Sequence, residues 1–176
     1  MKIRKTEKGK VVVRLKGGLG NQMFQYAAAY AFAAENNLQL ALDTFSGFCR
    51  DKIYKRTYSL DGFNILDKNF SYFYCLPFWI ENIFKVNTKK SHDNIFIRPW
   101  GQIINDSNKE YQPIKANDNI KTYWMDGYWQ TENYFSQHKK FIRNKFILKQ
   151  PHATHFLSIG RKMETANSVA VGVRLY

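Results

Sequence analysis

Cysteine is scarce. Cys49 and Cys75 are the two in 176 residues, too few and too far apart for a metal knuckle or a Cys-x-x-Cys redox site. They read as reduced, partly buried thiols of a cytoplasmic protein. Acid is scarce as well: 14 Asp and Glu face 27 Lys and Arg, a net charge of +13 that favours anionic partners. Long apolar runs are missing. Val11–Val13 is broken at once by Arg14, too short for the roughly 7–15-residue core of a signal peptide. Residues 72–84 are interrupted by Pro77, Glu81 and Asn82, well short of the roughly 20 residues of a spanning helix. Neither a secretory signal nor a transmembrane helix is expected. There is no repeat or low-complexity tract, and no His, Cys, Asp or Glu cluster has metal-ligand spacing, so metal-independent chemistry is expected.

Aromatics are plentiful: 14 Phe, 11 Tyr and 4 Trp supply a core and flat platforms for a ligand. The length suits one well-buried domain or a little more. The stretch from about Lys10 to Lys16 reads as a strand, Asn21–Glu35 as a helix and Leu38–Asp43 as a second strand, a right-handed crossover. Met23, Ala27, Ala31 and Ala34 trace one helical face, with Phe24, Ala28 and Phe32 beside it, suited to packing on a sheet. Residues 44–118 read as short helical and irregular pieces between glycines and prolines. Ile120–Met125 is a further strand, followed by a loop over Asp126–Gln130 and a basic helix from about Thr131. Ser168–Tyr176 is apolar and β-branched, as in a buried parallel strand. The alternation gives an α/β class, a Rossmann-like parallel sheet layer with ligands at the carboxyl ends of its strands.

Two clusters hold much of the charge. Residues 1–16 contain seven Lys and Arg against Glu7, and residues 136–150 contain Lys139, Lys140, Arg143, Lys145 and Lys149 with no acid. The second is interleaved with Phe141, Ile142, Phe146 and Leu148, so a basic amphipathic helix on a membrane and a solvated face both remain open. The aromatics are not laid out as RNA-stacking motifs, and nucleic acid is not expected.

Residues 17–29, Gly-Gly-Leu-Gly-Asn-Gln-Met-Phe-Gln-Tyr-Ala-Ala-Ala, join the first strand to the first helix. Gly17, Gly18 and Gly20 carry no Cβ, so the chain can turn through positive φ and let a ligand approach the backbone. The helix behind the turn offers unpaired N–H groups and a positive dipole end to a phosphate. Asn21 and Gln22 stand where an amide caps the helix or reaches a ligand. The loop lacks the lysine of a P-loop, and Met23 stands where a dinucleotide fingerprint ends in glycine. On geometry alone a structural turn and a phosphate site are equally open. The full string resembles the N-terminal signature of the alpha-1,2-fucosyltransferases of glycosyltransferase family 11. Tyr58-Ser59-Leu60-Asp61-Gly62-Phe63-Asn64-Ile65 and Gly127-Tyr128-Trp129-Gln130-Thr131-Glu132-Asn133-Tyr134-Phe135 are similar to two later stretches of that family, in the same order.

The resemblance implies transfer of L-fucose from GDP-fucose to the 2-hydroxyl of a galactoside, with inversion, in glycan or surface polysaccharide synthesis. It implies the N-terminal part of a GT-B-like two-domain enzyme. Residues 1–165 would be its N-terminal α/β domain, and 166–176 the first strand of a donor-binding domain that the chain lacks, leaving the fragment inactive. On that alignment Arg174 takes the first arginine of the family's His-x-Arg-Arg-Gly-Asp-Tyr motif, while Gly172 and Leu175 depart from it. Gly18, Gly20, Asn21 and Gln22 would line the donor, and Arg174 would clamp its diphosphate through parallel hydrogen bonds. Asn21 and Arg174 are the expected catalytic residues. Tyr128 and Trp129 are open to stacking on the acceptor sugar or to core packing. Asp43, Asp126 and Glu132 are candidate general bases, and each is as readily a turn or helix-start carboxylate. No cofactor is expected beyond the GDP-fucose donor. The expected partners are that donor, a galactoside-terminated glycan and, through the basic clusters, the inner face of the membrane. Two other readings stay open. One is an NAD(P)-binding oxidoreductase, for which Asp43 lies 23 residues after Gly20, about where a ribose-binding acid falls. The other is a non-catalytic basic protein that binds anionic surfaces.

Overall fold

The structure, a computed structural model, describes residues 9–49, 51–65, 101–106, 111–150, 154–169 and 171–173. Val11, Val12 and Val13 are β-branched and apolar towards both sides, the composition of a strand covered on both faces. They form the inside of β1 (Gly9–Arg14), all three essentially buried. β2 (Leu38–Asp43) and β4 (Thr122–Asp126) flank β1, and β3 (Gln102–Asn105) lies beyond β4. The sheet is parallel throughout, in the order β2-β1-β4-β3. Val12 sits beside Ala41 on one side and Trp124 on the other.

β1 and β2 are joined by α1 (Leu19–Asn36). Asn37 ends the helix in the left-handed region, φ 54, and donates its N–H to the Ala33 carbonyl, a turn that asparagine tolerates. The main core joins α1 to one sheet face, with Tyr26, Ala29 and Phe32 against Val11, Val13, Leu42, Tyr123 and Met125. Val12, Ala41 and Trp124 make a smaller cluster on the other face.

The helical face is the expected one in part, since Ala27, Ala28, Ala31 and Phe32 are buried. Ala34 is exposed and Met23 half-buried, while Gln22, Gln25, Tyr26, Ala29 and Ala33 turn inward. Two glutamines can face the core because the neighbouring turns use up their amides. β3 falls in a stretch read as irregular. The basic segment does not coil from Thr131: two 3₁₀ turns, Glu132–Tyr134 and Ser136–His138, precede α2 (Lys139–Lys145). Thr131 caps the first turn by accepting from the Asn133 N–H. A further helix, α3, spans Thr154–Glu164.

The segment expected to form the final strand is in no strand where it is described. Residues 167–169 and 171–173 belong to no strand, and Val169, Val171 and Val173 are 86, 78 and 77% exposed. β-branched residues favour extended backbone, but a strand needs a neighbour to complete its ladder, and none of the four strands pairs with this segment. Cys49 is exposed rather than partly buried. Arg174, Leu175, Cys75, residues 72–84 and the basic residues up to Lys8 lie outside the described residues. Among the described residues no helix is long and apolar enough to cross a membrane.

Candidate functional site

Because the strands are parallel, all four end at one edge, where the loops that follow them meet. From β1 the chain crosses through α1 to β2 on one side, while β4 lies on the other. Connections diverge between β1 and β4, the place where open α/β sheets leave a ligand crevice. Lys16–Gly18 enters it after β1, and Gly127–Gln130 after β4.

Of the three glycines in the turn, Gly17 alone has positive φ, +78, and a Cβ there would stand 2.6 Å from Asn21 Nδ2. That position requires glycine. Gly18 is extended, φ −74 and ψ 174, and caps α1 without a side-chain bond. Gly20 lies within the helix, and a Cβ on Gly18 or Gly20 would meet nothing within 4 Å. Their bareness is not demanded by the backbone; it keeps the start of α1 open beside N–H groups that a helix leaves unpaired.

Gln22 is completely buried. Its Nε2 donates to the Gly17 and Thr57 carbonyls, both at 3.0 Å, and its Oε1 accepts from the Ser59 N–H at 2.9 Å. One amide thus ties the glycine turn to the 57–59 segment. Gln25, also completely buried, pairs with the Lys16 backbone in both directions, at 2.9 and 3.1 Å. Sequence reasoning assigned Gln25 no role; its spacing from Gln22 on one helical face was the available signal. Asn21 sits outside this inner layer and accepts from Gln130 Nε2 at 2.7 Å, joining the two loops across the crevice.

Asp126 ends β4 with its side chain 8% exposed, held by Arg14 at 3.3 Å and by Lys16 at 2.5 Å. The Lys16 ammonium also lies 5.2 Å from the centre of the Tyr128 ring, which is exposed at the crevice. Trp129 is 2% exposed and meets Tyr134 edge-on at 5.2 Å, so it belongs to the core side of the loop. Burial pushes the Tyr134 hydroxyl above its usual range; the bond from the Gln112 N–H works against this, and Asp106 and Tyr111 add to it. Burial, then Asp61, raises Tyr58 likewise. Among the described residues no three His, Cys, Asp or Glu side chains converge as metal ligands would.

Over 145 residues the chain is 34% identical to an alpha-1,2-colitosyltransferase of Escherichia coli. The likeness is to a glycosyltransferase. It covers 77% of this chain and 44% of that protein, so the chain spans less than half the length of the curated relative it matches. No family model and no solved structure matches. Among the carboxylates weighed as bases for glycosyl transfer, Asp43 is completely buried and accepts from the Phe45 and Ser46 N–H groups and the Ser46 hydroxyl. Asp43 is thus committed to the turn after β2, not presented to the surface as a ribose-binding acid would be. Both Asp126 oxygens are occupied by cations. Glu132 is exposed and pairs with Lys139 at 3.0 Å.

Proposed function

We propose that the chain forms the turn-and-crevice part of a nucleotide-sugar-dependent glycosyltransferase. It would move fucose or colitose, which is fucose lacking its 3-hydroxyl, from the GDP-activated sugar to the 2-hydroxyl of a galactoside. The reading rests on the space kept open over Gly18 and Gly20 at the start of α1, in a crevice bordered by Lys16, Asn21, Tyr128 and Gln130. Glycosyl transfer leaves negative charge on the departing diphosphate, and fixed donors at that point lower the barrier. The first N–H groups of α1 and the Lys16 ammonium supply such donors. Gln22 and Gln25 act one layer further in, by fixing the backbone that carries them. In this reading Arg174 would join the clamp from the segment that follows, and the exposed Tyr128 ring is placed to meet a sugar.

Binding of GDP-fucose to the chain, followed by saturation-transfer NMR, tests the reading, with NAD as a control. Gly20→Ala sets a methyl group into the open space and removes a helical glycine. Its melting temperature is expected to equal or exceed that of the wild type, while donor binding weakens at least about tenfold, some 1.4 kcal/mol. Unchanged donor binding in that variant would make the turn purely structural.

A further inference from the structure

Along β3 lies a cavity of about 190 Å³ that the donor reading does not use. Asn105 and Asp106 at the end of β3 line it, with Gln112 and Lys115 from the segment before β4, and Trp129 and Tyr134 from the segment after it. Its volume is that of roughly six water molecules, room for one sugar ring but not for a nucleotide. Amide, carboxylate and ammonium groups beside two aromatic rings suit a ligand with many hydroxyls and one apolar face.

Two features of the wall are unfavourable on packing grounds alone. Trp129 is 2% exposed, yet its indole N–H has no hydrogen-bond partner among the described residues, a costly state for a buried donor. The same residue holds φ +54, a left-handed conformation rare for a bulky side chain. Asp106 fixes it there, Oδ2 accepting the Trp129 N–H at 2.7 Å. Gly127 permits that approach, since a Cβ at this position would collide with the Asp106 side chain. Backbone strain of this kind is retained where a structure holds residues for a ligand.

We infer that this cavity seats one ring of a neutral saccharide, the galactoside of the acceptor; the identity of that ligand rests on the glycosyl-transfer reading. Asn105, Asp106 and Gln112 pair its hydroxyls, and Trp129 and Tyr134 border its apolar face. Methyl β-galactoside is the probe, read by saturation-transfer NMR on the whole chain, with melting temperatures recorded. Gln112→Ala, at an exposed position, and Asn105→Ala are each expected to weaken galactoside binding about tenfold while GDP-fucose binding and melting temperature stay as in the wild type. Galactoside binding unchanged in both variants overturns the proposal, wherever the donor binds. No galactoside binding alongside intact donor binding overturns it too, and leaves the glycosyl-transfer reading standing. Galactoside binding that depends on Gln112 and Asn105 in a chain that ignores GDP-fucose upholds the site and overturns the donor reading instead.

Discussion

Asn21 and Gln22 are adjacent amides with opposite duties. Gln22 has its donors and its acceptor committed to three backbone groups in a fully buried setting, whereas the Asn21 bond to Gln130 is exposed. Gln22→Ala would strand two carbonyls and one N–H, and an expected loss of about 2–3 kcal/mol follows from leaving buried groups unpaired. Asn21→Ala should cost under about 1 kcal/mol and act on donor binding instead. Urea midpoints of the two variants check this, and equal midpoints would cancel the division of labour. The sequence marks both residues as special, because amides are unusual at the start of an alanine-rich helix. It does not say which one turns inward. That depends on helix phase, and the phase is set by the carbonyls of Gly17 and Thr57, one of them thirty-five residues away.

Among the elements, β1, α1 and β2 were legible to within about two residues, because a β-branched run, a glycine turn and an asparagine stop punctuate them. β4 was legible but begins two residues later than expected, at Thr122. β3 was not legible: four residues long, half-buried at best and at the edge of the sheet, it carries too little periodicity to stand out. α2 shows how charge on paper differs from charge in place. Lys139 pairs with Glu132, Lys149 donates to the Asp61 carbonyl and Lys145 lies over the Tyr30 ring. Lys140 and Arg143 are exposed and have no ion pair among the described residues, beside Phe141 at 63% exposure. If the segment meets an anionic bilayer, those two cations carry the contact. Lys140→Gln with Arg143→Gln should then halve or further reduce co-sedimentation with phosphatidylglycerol vesicles, and added salt should do the same to the wild type. Sedimentation indifferent to both would leave α2 a solvated face.

For the whole molecule, two tyrosines tie stability to pH. The hydroxyls of Tyr58 and Tyr134 both titrate above the usual value of about 10, chiefly because they are partly buried. As pH rises past about 10 the unfolded chain gives up these protons while the folded chain keeps them. Stability is therefore fully present below about pH 10 and falls as pH climbs towards the folded values. The double variant Tyr58→Phe and Tyr134→Phe should show a flatter alkaline decline in urea midpoint between about pH 9 and 11. An unaltered decline would assign it to other groups.

The strand order also sets a timetable. β1 meets β2 across a connection of about two dozen residues, but its other neighbour, β4, lies more than a hundred residues downstream, and the Arg14–Asp126 pair spans 112 positions. During synthesis at roughly 5–20 residues per second, the central strand waits about 4 to 16 seconds after Asp43 for its second partner to be made. Through that interval β1 has one open edge, the kind of template on which nascent chains pair wrongly. Yield on expression should therefore depend on translation speed between residues 44 and 126 more than on any contact in the finished sheet.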